Sequence, residues 1–272
     1  MSTAVASSSR AAPRWASRIG RWAQAWVGVI AILAFLELIV RVGIIPSRYF
    51  PPMTTTFGTL FEQLGQSSFW TAVLQTLQGW ALGLGIAALI GIPLGMLIGA
   101  NMLVYRGLRP IIEFLRPIPS VALIPLAILI YGTGMQSKVF LAAFASTWPL
   151  LIQSIYGVRD LDPVQRETAQ SFRIPLKDRL LKVSLPGAIP YIATGLRISS
   201  ATALVLAVTA ELVIGAPGLG RSINTARAGG VPDLMYALTI ATGLLGWLLN
   251  VALSKVEARA LHWHPSHREV AR

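Results

Sequence analysis

The residues whose spacing most suggests chemistry form a glycine-rich stretch. GAPGLGRS, from Gly215 to Ser222, matches the phosphate-binding loop G-x-x-x-x-G-K-S except that Arg221 replaces the lysine. In nucleotide-binding proteins this loop follows a β-strand, and its backbone N–H groups hold the phosphates. Here it follows an apolar run of membrane-spanning length. We therefore predict a turn-rich external loop that binds no nucleotide.

A histidine cluster near the C-terminus is the second candidate site. His262, His264 and His267 lie within six residues, and imidazole is a common metal ligand. A tetrahedral site needs a further ligand, and the only nearby acidic residue that could complete it is Glu269. We therefore predict a solvated basic tail and no metal site.

Three charged side chains lie inside apolar segments, where an uncompensated charge is costly. Glu37 and Arg41 are one helical turn apart and can neutralise each other. Glu211 has no such local partner, so we predict that it faces a bundle interior. With nearby hydroxyls it can line a water-accessible path, although helical hydroxyls also bond carbonyls of the preceding turn. The predicted path residues are Ser146, Thr147, Ser199, Ser200, Thr202, Thr209 and Glu211.

The composition indicates an integral membrane protein. Of 272 residues, 54% are hydrophobic and only 12% are charged, about half the charged share of a soluble domain. The chain has no cysteine, which excludes disulfides and thiolate metal sites. A net charge of +12 would suggest nucleic acid for a soluble protein. In a membrane protein it more often reports orientation, and we predict no nucleic-acid partner.

Apolar runs predict six transmembrane helices and therefore an all-α, polytopic membrane helical bundle. The predicted spans are 26–45, 79–100, 117–131, 139–158, 196–214 and 236–253. The third is short and contains Pro117, Pro119 and Pro125, so we expect it to be kinked or irregular.

Lysine and arginine are distributed unequally between the two sides that these spans define. One side carries Arg10, Arg14, Arg18, Arg21, Arg106, Arg109, Arg116, Arg159, Arg166, Arg173, Lys177, Arg179, Lys182, Arg197, Lys255, Arg259, Arg268 and Arg272. The other carries only Arg48, Lys138, Arg221 and Arg227. The positive-inside rule places both termini in the cytoplasm. We predict cytoplasmic tails at 1–24 and 258–272 around a membrane domain at 25–257, and we interpret the N-terminal apolar run as a span, not a cleaved signal peptide.

A basic, proline-containing stretch from Arg166 to Arg197 interrupts the apolar chain. Asp162 and Pro163 predict a helix start, Pro175 ends that helix, and LKDRLLKVSL predicts a second short helix that ends at Pro186. Phe172, Ile174 and Pro175 cluster at the break. The residue types alone leave two interpretations open: a knob that docks on a partner, or a loop that lies on anionic lipid.

This stretch resembles the EAA loop of bacterial ABC importer permeases, whose pattern is Glu-Ala-Ala, three residues, Gly, nine residues, then Ile-x-Leu-Pro. The matching positions are Glu167, Thr168, Ala169, Val183, Leu185 and Pro186. The segments at 118–134, 211–220 and 236–250 further resemble the nitrate/sulfonate/taurine branch of that family. The resemblance covers residues 30–264.

The resemblance implies a type I ABC importer permease fold in the bacterial inner membrane. Such permeases work as a pair, here expected to be a homodimer, with two ATPase subunits that bind ATP and Mg and with an external substrate-binding protein. This chain would bind no cofactor and would not be an enzyme. The coupling loop, at about 159–195, would contact the ATPase, and 215–222 would meet the binding protein. The implied ATPase-coupling residues are Glu167, Thr168, Ala169, Phe172, Arg173, Ile174, Pro175, Leu185 and Pro186.

One coupling residue departs from the family pattern. Arg173 stands where the family has glycine, which readily adopts a positive φ. We therefore expect the turn to be shaped differently here, with Pro175 helping to redirect the chain.

Small residues recur every four positions in the second span, at Gly79, Gly83, Ala87, Gly91, Gly95 and Gly99. Such a stripe lets another helix approach closely. It can serve packing within the chain or between two copies.

Two other functions compete with the importer permease. A self-sufficient secondary transporter usually shows internal repeats and ion ligands near mid-membrane, which are not evident here. A membrane enzyme needs convergent acid–base or metal groups, and the apolar segments contain only Glu37, Arg41 and Glu211. The resemblance points to a small sulfonate, taurine or nitrate-like anion as the solute.

Overall fold

The protein is built from α-helices. The computed structural model describes residues 14–261, and no strand occurs in that range. The predicted N-terminal tail, apart from its helical end, and the histidine-containing C-terminal tail lie outside the described residues. The helices are α1 Arg14–Arg41, α2 Met53–Leu64, α3 Ser67–Ala100, α4 Met102–Leu115, α5 Ile124–Tyr131, α6 Met135–Arg159, α7 Pro163–Ser171, α8 Leu176–Arg179, α9 Leu185–Ile214, α10 Leu219–Ala228 and α11 Pro232–Ala260.

Several helices are long and apolar enough to cross a membrane. Within the described chain these are α3, α6, the continuous segment Lys177–Ala228 and α11 up to Arg259. A bent pair, α4 with Ser120–Tyr131, adds a fifth candidate. The all-α membrane bundle is thus confirmed, and α1 covers the first predicted span as far as Arg41. The total of six spans stays a prediction.

The direction of α3 and α6 shows why the bent pair counts as one crossing. Gly79 of α3 lies beside Lys138 of α6, and Gly99 lies beside Val158, so the two helices run parallel. The intervening chain must therefore return to the side on which α3 begins. It does so through α4 and Ser120–Tyr131, which meet at an angle of 80°.

This return segment differs from the predicted third span. Its helical structure starts at Met102, because α4 forms the first half of the crossing. Pro117 and Pro119 lie at the bend, and Pro125 occupies the first turn of α5, where a proline is tolerated. The kink that the prolines predicted is present.

The glycine stripe of α3 packs within the chain, against α6. A Cβ on Gly83 would lie 2.6 Å from the Cβ of Ala142, and one on Gly95 would lie 2.5 Å from the carbonyl oxygen of Leu151. A Cβ on Gly91 would lie 3.1 Å from the Cβ of Leu150, and Ala87 is fully buried. The stripe therefore allows two parallel backbones to approach closely along their whole shared length.

Helix α9 packs antiparallel on α6 and completes the central three-helix layer. The Ser199 hydroxyl donates to the Ser146 carbonyl at 2.7 Å, and Gly157 near the end of α6 lies against Ala188 near the start of α9. At the end of the bundle where α3 begins, α2, α10 and α11 contribute Leu60, Ile223 and Leu238 to one apolar cluster with Phe69 of α3.

The opposite end of the bundle carries the basic hairpin. The predicted second short helix does not end at Pro186. Instead α8 continues through a π-helical turn, Leu180–Ser184, directly into α9, with Pro186 in its first turn. Proline cannot donate the usual helical backbone hydrogen bond, and Pro186 follows directly on the π-helical turn, where the α-helical pattern is interrupted.

We predict that Gly95→Ala destabilises the protein by about 1–3 kcal/mol, because the new methyl group collides with the backbone of α6. Gly85→Ala is the matched control, since Gly85 lies on the same helix with no heavy atom within 4 Å of the new Cβ. Thermal unfolding of both variants in detergent measures the difference. Equal midpoints for the two variants would contradict the packing role of the stripe.

Candidate functional site

The turn between α7 and α8 has a defined C-terminal cap. Arg173 has φ +50°, the only positive φ at a non-glycine residue in the described chain. The Ile174 N–H donates to the Ala169 carbonyl at 3.1 Å, as in a Schellman cap, which needs a left-handed residue before the donor. Contrary to our expectation, arginine adopts the positive φ that glycine would favour. At the other end of α7, the Asp162 carboxylate accepts from the Val164 N–H at 2.9 Å.

The tip of this hairpin presents an uncovered aromatic ring. The Phe172 side chain is 78% exposed, and Glu167, Thr168, Arg173 and Pro175 are also exposed. The remaining predicted coupling residues are placed differently. Ala169 is buried, Ile174 and Leu185 are half-buried, and Pro186 is exposed at the start of α9.

The hairpin is tied to the bundle at its base. The Tyr191 hydroxyl of α9 donates to the Asp160 carboxylate at the end of α6. Leu161 lies over Gly187, where a side chain would overlap it. Leu185 packs on the core cluster that includes Met96 and Val158. These contacts couple the position of the hairpin to α3, α6 and α9.

A buried ion pair lies near the opposite end of the bundle. Lys138 Nζ is 2.9 Å from Glu211 Oε1, and neither side chain has any exposed surface. The same ammonium donates to the carbonyls of Gln75 at 2.8 Å and Pro217 at 2.7 Å. All three lysine donors are therefore used, which is what a charge in an apolar interior requires.

The second oxygen of Glu211 caps helix α10. Oε2 accepts from the Gly220 N–H at 2.9 Å and from the Thr76 hydroxyl at 3.0 Å. The Thr76 oxygen in turn accepts from the Leu219 N–H at 2.9 Å. Helix N-termini attract anions, and here the anion is a carboxylate of the same chain.

The Glu211 carboxylate thus occupies the loop that resembles a phosphate-binding motif. Gly218 has φ +149°, and a side chain there would overlap the Glu211 carboxylate. A Cβ on Gly220 would lie 2.7 Å from the Cβ of Glu211. The glycines at 218 and 220 therefore let the loop close over Glu211.

Sequence reasoning missed Lys138, which we counted as a charge outside the spans. The sequence held a signal for this pair: Lys138 is basic, Glu211 is acidic, and each lies in an apolar helix without a charged partner nearby in the sequence. Glu211 does face the bundle interior. Its complete enclosure favours a structural role over path lining, and a place on the path stays a prediction.

The predicted path hydroxyls are mostly bonded within their own helices. Four of them donate to the carbonyl four residues earlier, at 2.6–3.0 Å: Ser146, Thr147, Thr202 and Thr209. Ser199 bonds across to α6, and Ser200 accepts from the indole N–H of Trp80. These bonds are the alternative that we left open, and a role of these residues in a path stays a prediction.

Two smaller expectations concern charges and metals. Arg41 Nε donates to Glu37 Oε1 at 2.6 Å, as their spacing predicted, and Glu37 also accepts from the Thr54 N–H at 3.1 Å. This joins α1 to the first turn of α2.

Within residues 14–261, no three histidine or acidic side chains are grouped to hold a metal.

Comparison with known protein families identifies the chain. The family model described as "Binding-protein-dependent transport system inner membrane component" matches residues 91–258, well over half of the sequence. The chain is a member of this family. It is therefore an ABC transporter permease and an inner membrane component, and the family is not one of enzymes.

Similar permeases are named after several different substrates. The taurine transport system permease protein TauC of Escherichia coli (strain K12) is 30% identical over 92% of this chain and 94% of its own. The nitrate import permease protein NrtB of Leptolyngbya laminosa is 32% identical over 72% of this chain and 70% of its own. The putative aliphatic sulfonates transport permease protein SsuC of Bacillus subtilis (strain 168) is 27% identical over 90% of this chain and 89% of its own.

A solved structure shares the permease fold. The MetNI methionine ABC transporter, in an inward-facing conformation, matches with a TM-score of 0.63 at 20% identity. The match covers 71% of this permease and 95% of that chain. At this identity the likeness shows the fold alone.

We predict that Lys138→Met destabilises the permease by about 3–5 kcal/mol, because it leaves Glu211 buried without its cation. The double variant Lys138→Met/Glu211→Gln should be more stable than Lys138→Met, since glutamine is neutral and still accepts a hydrogen bond. Thermal unfolding in detergent tests both. If Lys138→Met unfolds with the wild-type midpoint, the pair does not stabilise the bundle.

Proposed function

We propose that this permease is the membrane subunit of an ATP-driven importer and moves a small oxyanion or sulfonate into the cytoplasm. Two copies form the membrane unit. Two ATPase subunits, which hold ATP and Mg, bind at the basic end, and an external binding protein delivers the solute at the other. The permease itself binds no cofactor.

The observation that carries this proposal is the exposed hairpin tip. A phenylalanine that is 78% exposed, on a capped and defined turn, is costly in water and is suited to insertion into a partner's apolar cleft. Glu167 and Arg173 flank it and can form polar contacts at the rim. The tip therefore supports the docking interpretation over a loop lying on lipid.

The connection behind the tip is suited to transmit motion. Helical structure continues from Leu176 through the π-helical turn into α9 without a flexible linker. The base is held to α6 by the Tyr191–Asp160 hydrogen bond. A displacement of the tip by the ATPases would thus move α9 and α6 as a rigid body, as an alternating-access cycle requires.

The solute class is supported by the relatives' names. Nitrate, taurine and aliphatic sulfonates share a small anionic group built from oxygen atoms. Relatives with different named solutes have similar identity, so the class, and not one compound, is proposed.

We predict that Phe172→Ala weakens binding of the co-expressed ATPase by about 2 kcal/mol, or about thirtyfold, because a buried aromatic anchor is lost. ATPase copurification and ATP-dependent uptake measure the effect, and membrane insertion should be unchanged. Phe61→Ala is the matched control, since Phe61 is 71% exposed on α2, away from the hairpin.

The opposite result would remove the hairpin from the coupling mechanism. If Phe172→Ala retains both the ATPase and normal uptake, this turn is not the coupling element. If Phe61→Ala loses the ATPase equally, the effect is not specific to the hairpin.

A further inference from the structure

Helix α4 packs on the rest of the permease through only one of its faces. Tyr105, Leu108 and Ile112, which are spaced three and four positions apart, contact the apolar cluster that includes Leu151 and Ile155 of α6. No residue of α4 is buried. Most of the circumference of this helix is therefore left uncovered by the described part of the chain.

The uncovered part of α4 carries an apolar face beside a stripe of charges. The apolar face consists of side chains that are 41–79% exposed: Leu103, Val104, Ile111 and Phe114. The stripe consists of exposed residues on another side of the helix, with the last one in helical conformation directly after it: Arg106, Arg109, Glu113 and Arg116. Such a helix, with arginines on one side and leucine and phenylalanine on the other, is typical of a membrane interface.

The stripe has an excess of positive charge. Arg109 Nε donates to Glu113 Oε1 at 2.7 Å, so these two charges neutralise each other. Within residues 14–261, neither Arg106 nor Arg116 forms an ion pair with an acidic side chain. Two guanidinium groups of the stripe are thus available to an anion.

A third arginine lies against the start of α4. The guanidinium of Arg159, the last residue of α6, lies 3.9 Å from the centre of the Tyr105 ring. It forms no ion pair within the described chain, and the neighbouring carboxylate of Asp160 accepts a hydrogen bond from Tyr191 of α9. Stacking on an aromatic ring leaves the N–H groups at the edge of the guanidinium free to bind an anion.

Helix α4 lies obliquely at the end of the bundle that carries the hairpin. Its first residue, Met102, is 3.5 Å from Arg159 Nη1, whereas Arg116 lines a small cavity with Ile152 of α6. Seven residues of α6 correspond to about 10 Å, although α4 is itself about 21 Å long. The 80° bend that follows α4 agrees with this oblique course. The whole helix thus stays within the last third of α6, at the depth where headgroups meet acyl chains.

At this depth, a phospholipid satisfies both uncovered faces. Charges that face acyl chains are costly, and an exposed apolar face is costly against water. A free phosphate ion would bind the arginines but leave Leu103 and Phe114 uncovered. Tyr105 and the exposed Tyr156 flank the helix, and tyrosine is enriched where a membrane meets water. The unpaired guanidinium groups favour a lipid with a net negative charge over a zwitterionic one.

We propose that α4 binds anionic phospholipids at the hairpin end of the bundle. Arg106, Arg116 and Arg159 hold the phosphate groups, which the planar guanidinium can bind through two parallel hydrogen bonds. The exposed apolar face of α4 contacts the acyl chains. This partner is additional to those of the importer proposal and depends neither on the ATPase nor on the solute.

The test is quenching of a fluorescent probe by brominated lipids around the full-length permease. The chain has no cysteine, so Leu103→Cys introduces its only thiol, which is labelled with bimane. The labelled protein is reconstituted in phosphatidylcholine that contains a minor share of either brominated phosphatidylglycerol or brominated phosphatidylcholine. The brominated phosphatidylglycerol should quench about tenfold more effectively, because unpaired arginines near the surface enrich anionic lipid around the probe.

Three double variants test the arginines. Arg106→Gln/Arg116→Gln should remove most of the preference, and Arg106→Lys/Arg116→Lys should retain most of it because the charges remain. Arg221→Gln/Arg227→Gln removes two exposed arginines from α10, near the other end of the bundle, and should leave the preference unchanged.

Several results would overturn the proposal. Equal quenching by the two lipids would mean that α4 contacts bulk lipid without selecting a headgroup. No quenching by either lipid would mean that another protein, such as a second copy of the permease, covers this face. A preference that survives in Arg106→Gln/Arg116→Gln, or that is lost equally in Arg221→Gln/Arg227→Gln, would mean that these two arginines do not bind the lipid.

Discussion

A lysine and a glutamate buried together in an apolar bundle impose the strictest requirement on this structure. Removing two charges from water is costly unless every donor and acceptor is paired, and the Lys138–Glu211 pair satisfies this with groups from four segments. The pair joins α3, α6, α9 and the loop that leads into α10. Gly79 leaves room for the lysine stem, and Gly218 and Gly220 let the loop close over the carboxylate. These three glycines thus make the space in which the ion pair is buried.

Close packing connects the end of the bundle that holds the ion pair to the end that carries the hairpin. The α3 stripe holds α3 against α6 along their shared length, and α9 packs antiparallel on α6 down to the hairpin. The hairpin then presents Phe172 on a turn whose cap requires a left-handed residue. In our account, a partner that moves Phe172 moves a rigid three-helix layer.

Much of this architecture could be predicted from local properties of the sequence. Lengths of apolar runs predicted the long helices, and Pro175 together with Asp162 predicted the hairpin. Pairings between distant residues could not be predicted in this way. Lys138 and Glu211 are 73 positions apart, so no local spacing pairs one with the other. Helix α4 was overlooked as half of a crossing because it carries Arg106, Arg109 and Glu113 and is followed directly by Arg116. The conformation of Arg173 was predicted wrongly because the cap, formed by a backbone hydrogen bond, requires the positive φ whatever the side chain.

The central claim, that the hairpin tip contacts the ATPase, is most directly tested by site-specific cross-linking. The chain has no cysteine, so Phe172→Cys introduces its only thiol, and a photoreactive maleimide can be attached there alone. Phe61→Cys provides the comparison at the other end of the bundle. Irradiation of the assembled complex should give a permease–ATPase adduct from position 172 and none from position 61. No adduct from position 172, or equal yields from both positions, would contradict the account.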